Sequence, residues 1–215
     1  MSTRLFNLWI LIIVLALTGC VTRKPYDYTN FRAHLPHSIV VLPPLNQSTD
    51  IKGTYSYLST VTRPLAEMGY YVFPVAEVDQ LMKENGMPTA GEMHQVPPSK
   101  IGEIIGADSV LYVTLRKYGS KYQVISSVTT VTADAKLVDA KTGLTLWDGT
   151  ATAQQSSDDS GGGIIGALIT AAVTQMVNSA TDPAHDVSSM VNSQLFIPKD
   201  YGLLHGPYFP KDKEQ

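Results

Sequence analysis

The sequence predicts an α/β (α+β) fold: a mixed sheet with a C-terminal antiparallel meander, and helices packed on the sheet. Three observations predict it. Through the first half, short apolar runs bounded by Pro and Gly alternate with amphipathic segments, the order that builds parallel strand–helix units. From residue 109 the pattern changes to long runs of Val, Ser and Thr, which suit a half-buried pleated surface. Between two of these runs stands Asp139-Ala140-Lys141-Thr142-Gly143, a hairpin signal in which Asp bonds the following backbone and Gly supplies positive φ.

The elements follow in order. Arg4 and the apolar run Leu8–Leu17 have the layout of a secretory signal peptide over residues 1–19, too short for a comfortable membrane span. Residues 20–37 carry Pro25, Tyr26, Tyr28, Phe31 and Pro36 in no clear period and read as a tether laid along the surface by its aromatics. Ser38–Leu42 is a short apolar strand stopped by Pro43-Pro44. After a polar loop, Tyr55, Leu58, Val61, Leu65 and Met68 recur at helical spacing, with a kink or break expected at Pro64 and an end at Gly69. Tyr70–Phe73 is the second strand. Pro74 opens a helix with Val75, Val78, Leu81 and Met82 on one face and Asn85-Gly86 at its end.

Thr89 and Glu92 have capping-box spacing for a brief helical turn. Ser99 is the expected cap of another helix, which carries Ile101, Ile104 and Ile105 before Gly106. Ser109–Lys117 is the next strand, turned by Gly119-Ser120. Tyr122–Val138 is a long β run, and Leu144–Gln155 returns beside it with Leu146 and Trp147 on opposite faces. Helices are expected from the Gly-rich segment to about Asn178 and from Asp182-Pro183 to Phe196. Residues 38–197 then make one domain. Residues 198–215, with three Pro and three aromatics, make an extended tail partly pinned to it.

Composition narrows function. The chain carries 16 Lys+Arg and 19 Asp+Glu, and loss of residues 1–19 would remove only Arg4. No basic stripe remains, so nucleic acid is a poor partner. Cys20 is the single cysteine, which excludes an intramolecular disulfide. The stretch Leu17-Thr18-Gly19-Cys20 resembles the lipobox of bacterial lipoproteins: an aliphatic residue, two small ones, then cysteine. The resemblance implies cleavage before Cys20 and acylation of its thiol and new N-terminus, several chains where one would not hold. Val21 follows rather than Asp, which by the same resemblance places the anchor in the outer membrane, with a periplasmic body as the default.

Other constellations weigh less. Gly161, Gly163 and Gly166 match G-x-G-x-x-G, but a meander precedes them and Asp158-Asp159 would repel a pyrophosphate, so no cofactor is expected. The small residues Gly162, Gly166, Ala167 and Ala171 make a smooth helix face for close packing. That packing is within the core, or between subunits of a homo-oligomer, or against a membrane. His34 and His37 are spaced like a seed for a metal site, yet no HExxH or carboxylate lies close in sequence, and a solvated pair is expected. His94, His185 and His205 stand alone. Neither G-x-S-x-G nor S-x-x-K occurs, and Glu77, Asp79, Glu84, Glu92 and Glu103 read as solvated helix faces, so catalysis is not expected.

Four stretches carry a wider resemblance: Tyr55–Gly69 with Tyr70–Val75; Lys83–Gly86 with Glu92–Gln95; Ile105-Gly106-Ala107-Asp108–Tyr112; and Leu137–Gly143 with Trp147. Together they resemble an uncharacterised family of proteobacterial lipoproteins over nearly the whole mature chain. More distantly, the chain is similar to the curli-export lipoprotein, the lipoprotein activators of peptidoglycan synthases and the N-terminal domain of TolB. The resemblance implies a TolB N-terminal-like fold and a non-catalytic accessory role in envelope transport or secretion. Its partners would be the outer membrane, through acyl chains on Cys20, and other envelope lipoproteins or transport components. A regulator of a cell-wall synthase is the alternative, and a hydrolase the third.

Overall fold

A computed structural model describes residues 25–122, 127–156 and 182–210. The elements are α1 (Thr29–Ala33), β1 (Ser38–Val41), β2 (Leu45–Asn46), α2 (Gly53–Glu67), β3 (Tyr71–Val72), α3 (Val75–Glu84), α4 (Ala90–Met93), α5 (Pro98–Ile105), β4 (Ser109–Lys117), β5 (Ser120–Tyr122), β6 (Ser127–Asp139), β7 (Thr145–Ser156) and α6 (Pro183–Phe196). One mixed sheet joins all seven strands, as the sequence implies. β3, β1 and β4 run parallel, β2 extends the β1 lane along β4 beyond Pro43-Pro44, and β6 and β7 complete the antiparallel meander.

Both faces of the parallel half are covered, so its strands are continuously apolar: Ile39, Val40, Val41 and Leu42 are all fully buried. The larger core lies under α2 and α6, where Tyr57, Val61, Leu65, Val187, Val191 and Phe196 meet Leu111, Leu115, Leu137 and Trp147. The smaller lies under α3–α5, where Val78, Met82, Met93 and Ile101 meet Val40, Leu42 and Val110. Outward-facing β6 alternates with its core face, and Thr130, Thr132, Asp134 and Lys136 are left partly or fully accessible.

Several expectations change. Pro64 does not break α2, which runs unbroken to Glu67. Tyr55 is exposed, its ring under the Lys83 ammonium at 5.0 Å, and Tyr57 takes the core position instead. Ser99 does not cap α5: Pro97 is the N-cap and Pro98 occupies the first turn, where its missing N–H costs nothing. Leu146 and Trp147 join the same core rather than opposite faces. The cause is a bulge. Val138 pairs Thr145 and Leu137 pairs Trp147, so Leu146 is the extra residue and the alternation is reset.

The family motifs are spent on the fold. Gly106 ends α5 at φ +84. The Asp108 carboxylate accepts from the backbone N–H of His37 and Ser38 at 2.9 and 3.0 Å, joining the starts of β1 and β4. The Asp139 carboxylate accepts from the Thr142 N–H and hydroxyl, both at 2.6 Å, and shapes the hairpin. The expected capping box forms, with Thr89 and Glu92 bonding each other's backbone N–H.

Candidate functional site

The expected sites Cys20, Gly162, Gly166, Ala167 and Ala171 lie outside the described residues. So does the Gly161–Gly163–Gly166 motif. The described chain nonetheless shows what surrounds them.

Residues 25–37, the distal part of the expected tether, are built into the body. Thr29–Ala33 forms a helix whose Phe31 is fully buried, with Tyr28 edge-on to it at 6.3 Å. The Tyr28 hydroxyl donates to the Gly202 carbonyl at 2.6 Å. The Tyr26 hydroxyl donates to Asp148 Oδ1 and accepts from the Asp148 N–H, both at 3.0 Å, so it closes part of the open edge of β7. Burial, against a weaker opposing bond from the Asp148 backbone, pushes the Tyr26 phenol up to about 12. Asn30 covers the same edge one turn on, donating to the Thr145 carbonyl at 3.4 Å.

The C-terminal tail is docked as closely. Trp147 Nε1 donates to the Tyr201 carbonyl at 2.8 Å, and Leu203 is buried. The Gly206 N–H donates to Met68 O at 2.8 Å, and the Tyr70 hydroxyl to Leu204 O. Gly206 lies so near the α2–β3 turn that a Cβ there would stand 2.4 Å from the Gly69 carbonyl oxygen. Backbone bonds and close approach pin this tail more than its aromatic rings do.

A polar clasp that sequence reasoning missed sits where the chain returns at Asp182. The Ser56 hydroxyl donates to Asp182 Oδ2 at 2.5 Å, and the Tyr118 phenol lies 2.7 Å from the same oxygen and 2.6 Å from Ser56 Oγ. His185 Nδ1 is 3.5 Å from Ser56 Oγ. A Ser, a His and an Asp together suggest nucleophile activation, which needs the carboxylate to orient the imidazole. Here the carboxylate holds the serine hydroxyl instead. The group ties α2, the end of β4 and the start of α6 together. Its members are 62 and 126 residues apart, and only Asp182-Pro183 carried a local signal.

The polar face of the meander forms the floor of an open groove of about 750 Å³, walled by the 94–98 loop and Tyr112. Asp134 is held from two sides, by the Arg116 guanidinium and by the Thr150 hydroxyl at 2.8 Å. His94 Nε2 is 3.0 Å from the Pro43 carbonyl, which can only accept, so Nε2 carries the proton. Burial pushes this imidazole below its ordinary value, partly offset by that bond. His34 and His37 line a second depression with Glu103, Asp108 and Asp139. Among the described residues no three His, Cys, Asp or Glu are grouped to hold a metal. Of the helical carboxylates, Asp79 pairs with Lys83 at 2.6 Å and Glu103 with Lys100 at 2.8 Å, as exposed helix faces do. No helix among the described residues is long and apolar enough to cross a membrane.

Comparison with known proteins agrees with this architecture. Residues 26–208 match the family described as "Putative lipoprotein GNA1162-like". The chain is 44% identical over 206 residues to "Putative lipoprotein NMB1124/NMB1162" of Neisseria meningitidis serogroup B, covering 94% of this chain and 96% of that one. It is similar to the crystal structure of lipoprotein GNA1162 from Neisseria meningitidis at 48% identity and a TM-score of 0.55, covering 66% of this chain and 99% of that one. The PelC dodecamer of Paraburkholderia phytofirmans, 11% identical with a TM-score of 0.46 over 80% of this chain and 91% of that one, is too loose a likeness to bear on function.

Proposed function

Because the chain belongs to the GNA1162-like lipoprotein family, we propose that it is a lipid-anchored, non-catalytic accessory component of an envelope transport or secretion system. In this reading residues 1–19 are a signal peptide cleaved before Cys20. Acyl chains on Cys20 hold the protein on the outer membrane, and the body faces the periplasm. The docked N-terminal segment carries the reading. A tether ending at His37 would let the body range on the order of 60 Å from the bilayer. With Tyr26, Tyr28 and Phe31 fastened to the body, only the residues between Cys20 and Pro25 are left to span the gap. At ~3.3–3.6 Å per residue they reach about 18 Å at most. A body held that close suits a part assembled at the membrane surface, and it disfavours a regulator that must cross the cell wall to its synthase. The serine clasp, with its carboxylate on the hydroxyl, supports a structural rather than a hydrolytic use.

Two experiments test the proposal. Cys20→Ser should abolish membrane retention and leave a folded domain, seen on fractionation as soluble protein or uncleaved precursor. Mature-sized protein retained at wild-type level would sink the anchor assignment. Pull-down from crosslinked envelopes should recover transport components or other lipoproteins; recovery of a cell-wall synthase would favour the alternative. Self-association through Gly162, Gly166, Ala167 and Ala171 is part of the proposal, and Gly166→Leu should then lower the mass seen by light scattering.

A further inference from the structure

We propose that the surface made by Pro25, Tyr26 and the turn after α6, with Ile197, Lys199 and Tyr201, lies against the lipid headgroups. The body would then be oriented on the bilayer, not merely tied to it. This rests on the Cys20 anchor proposed above.

The geometry fixes the two parts of this surface to each other. Tyr26 is bonded to Asp148, Tyr28 to the Gly202 carbonyl, and Trp147, next to Asp148 on β7, to the Tyr201 carbonyl. The Gly202 N–H donates to Pro198 O at 2.7 Å and the Leu203 N–H to Phe196 O at 2.9 Å, which shapes the turn. A Cβ at Gly202 would stand 2.5 Å from both the Phe196 and the Pro198 carbonyl oxygens, so the turn is tightly closed. It pushes Ile197 outward, 52% exposed, and Tyr201, 38% exposed, beside the point where the chain leaves for Cys20.

An exposed Ile on a soluble surface means little by itself. Chain length decides here. The acyl chains must lie within about 18 Å of Pro25, so the surface around Pro25 is the one brought to the membrane. Its side chains suit that place. A branched aliphatic, a Tyr with an apolar body and polar tip, and a Lys with a long stem are those that settle at the headgroup level. Arg32 and Lys199 are offset by Asp148 and Asp200, so the surface has no basic excess. Contact therefore comes from apolar insertion into a phosphatidylethanolamine-rich interface and does not depend on salt.

The test uses the full acylated chain in nanodiscs of phosphatidylethanolamine with a minority of phosphatidylglycerol. Cys20 is the sole cysteine and its thiol is capped, so an introduced Cys is the one thiol free for a fluorophore. Ile197→Cys reports the proposed surface. Asn85→Cys reports the end of α3, in the layer on the other side of the sheet. Headgroup spin-labelled lipid should quench the label at 197 several-fold more than that at 85, equally at low and high salt. Equal quenching at the two positions, with acylation confirmed by mass, would overturn the proposal. Quenching at 197 that vanishes in high salt would overturn the apolar-insertion mechanism. An unacylated Cys20 in the mass spectrum would overturn the anchor itself, and the orientation with it.

Discussion

Replacing Phe31 by Ala separates a built-in N-terminal segment from a loose tether. Phe31 is fully buried in the larger core, edge-on to Tyr28. Truncating such a ring removes its transfer energy and leaves a cavity, together about 3–5 kcal/mol. For a domain of this size each kcal/mol moves the midpoint by about 2–4 °C, so Phe31→Ala should lower the thermal midpoint by about 6–20 °C. The assay is thermal unfolding of the detergent-solubilised chain, followed by circular dichroism, with limited proteolysis beside it. A surface-laid aromatic would cost under about 1 kcal/mol on truncation. A midpoint within about 3 °C of wild type would therefore refute the docking, and with it the short reach that supports the proposed function.

Two further perturbations test the interior. Tyr118→Phe removes the phenol beside Ser56 and the Asp182 carboxylate, and should cost about 1.5–3 kcal/mol, as bonds to charged groups do; urea denaturation that moves by less than half of this would show the clasp to be ornamental. The lowered folded pKa of His94 means that the unfolded chain takes up the proton first. Its contribution to stability is full above the ordinary imidazole value of 6.5 and is lost as pH falls through the folded value. The midpoint should drop between about pH 7.5 and pH 5, and His94→Gln, which keeps a donor for the Pro43 carbonyl, should flatten that slope; an unchanged slope would place the titration elsewhere.

Most elements were legible in the sequence because punctuation marks them. Pro43-Pro44, Gly69, Asn85-Gly86 and Gly106 each stop an element close to where the structure stops it. The apolar periods within those bounds are unambiguous. What escaped was of two kinds. The helix Thr29–Ala33 is a single turn and a half, too short to show a period, and only the burial of Phe31 reveals it. The bulge at Leu146 and the clasp of Ser56, Tyr118, Asp182 and His185 depend on register and on contacts across the chain. No local spacing encodes them. Tyr55 failed for a subtler reason: helical spacing places it beside Leu58, but α3 supplies an ammonium and a carboxylate there instead of a core.

The bond from the Tyr28 hydroxyl to the Gly202 carbonyl closes a loop of 174 residues. Phe31 and Leu203, from the two ends of the described chain, stand in one core with Trp147 between them in sequence. An emerging polypeptide therefore cannot complete that core until nearly its last residues have been made. A chain threaded outward from its N-terminus would remain open for almost the whole of its passage, then collapse late and slowly, as long-range pairing requires. Loss of even a dozen C-terminal residues would leave Tyr28, Trp147 and Tyr70 without their partners at once. Completion of synthesis and acquisition of shape are thus a single event for this molecule, and a truncated product should be recognised by proteases as unfolded from end to end rather than as a trimmed domain.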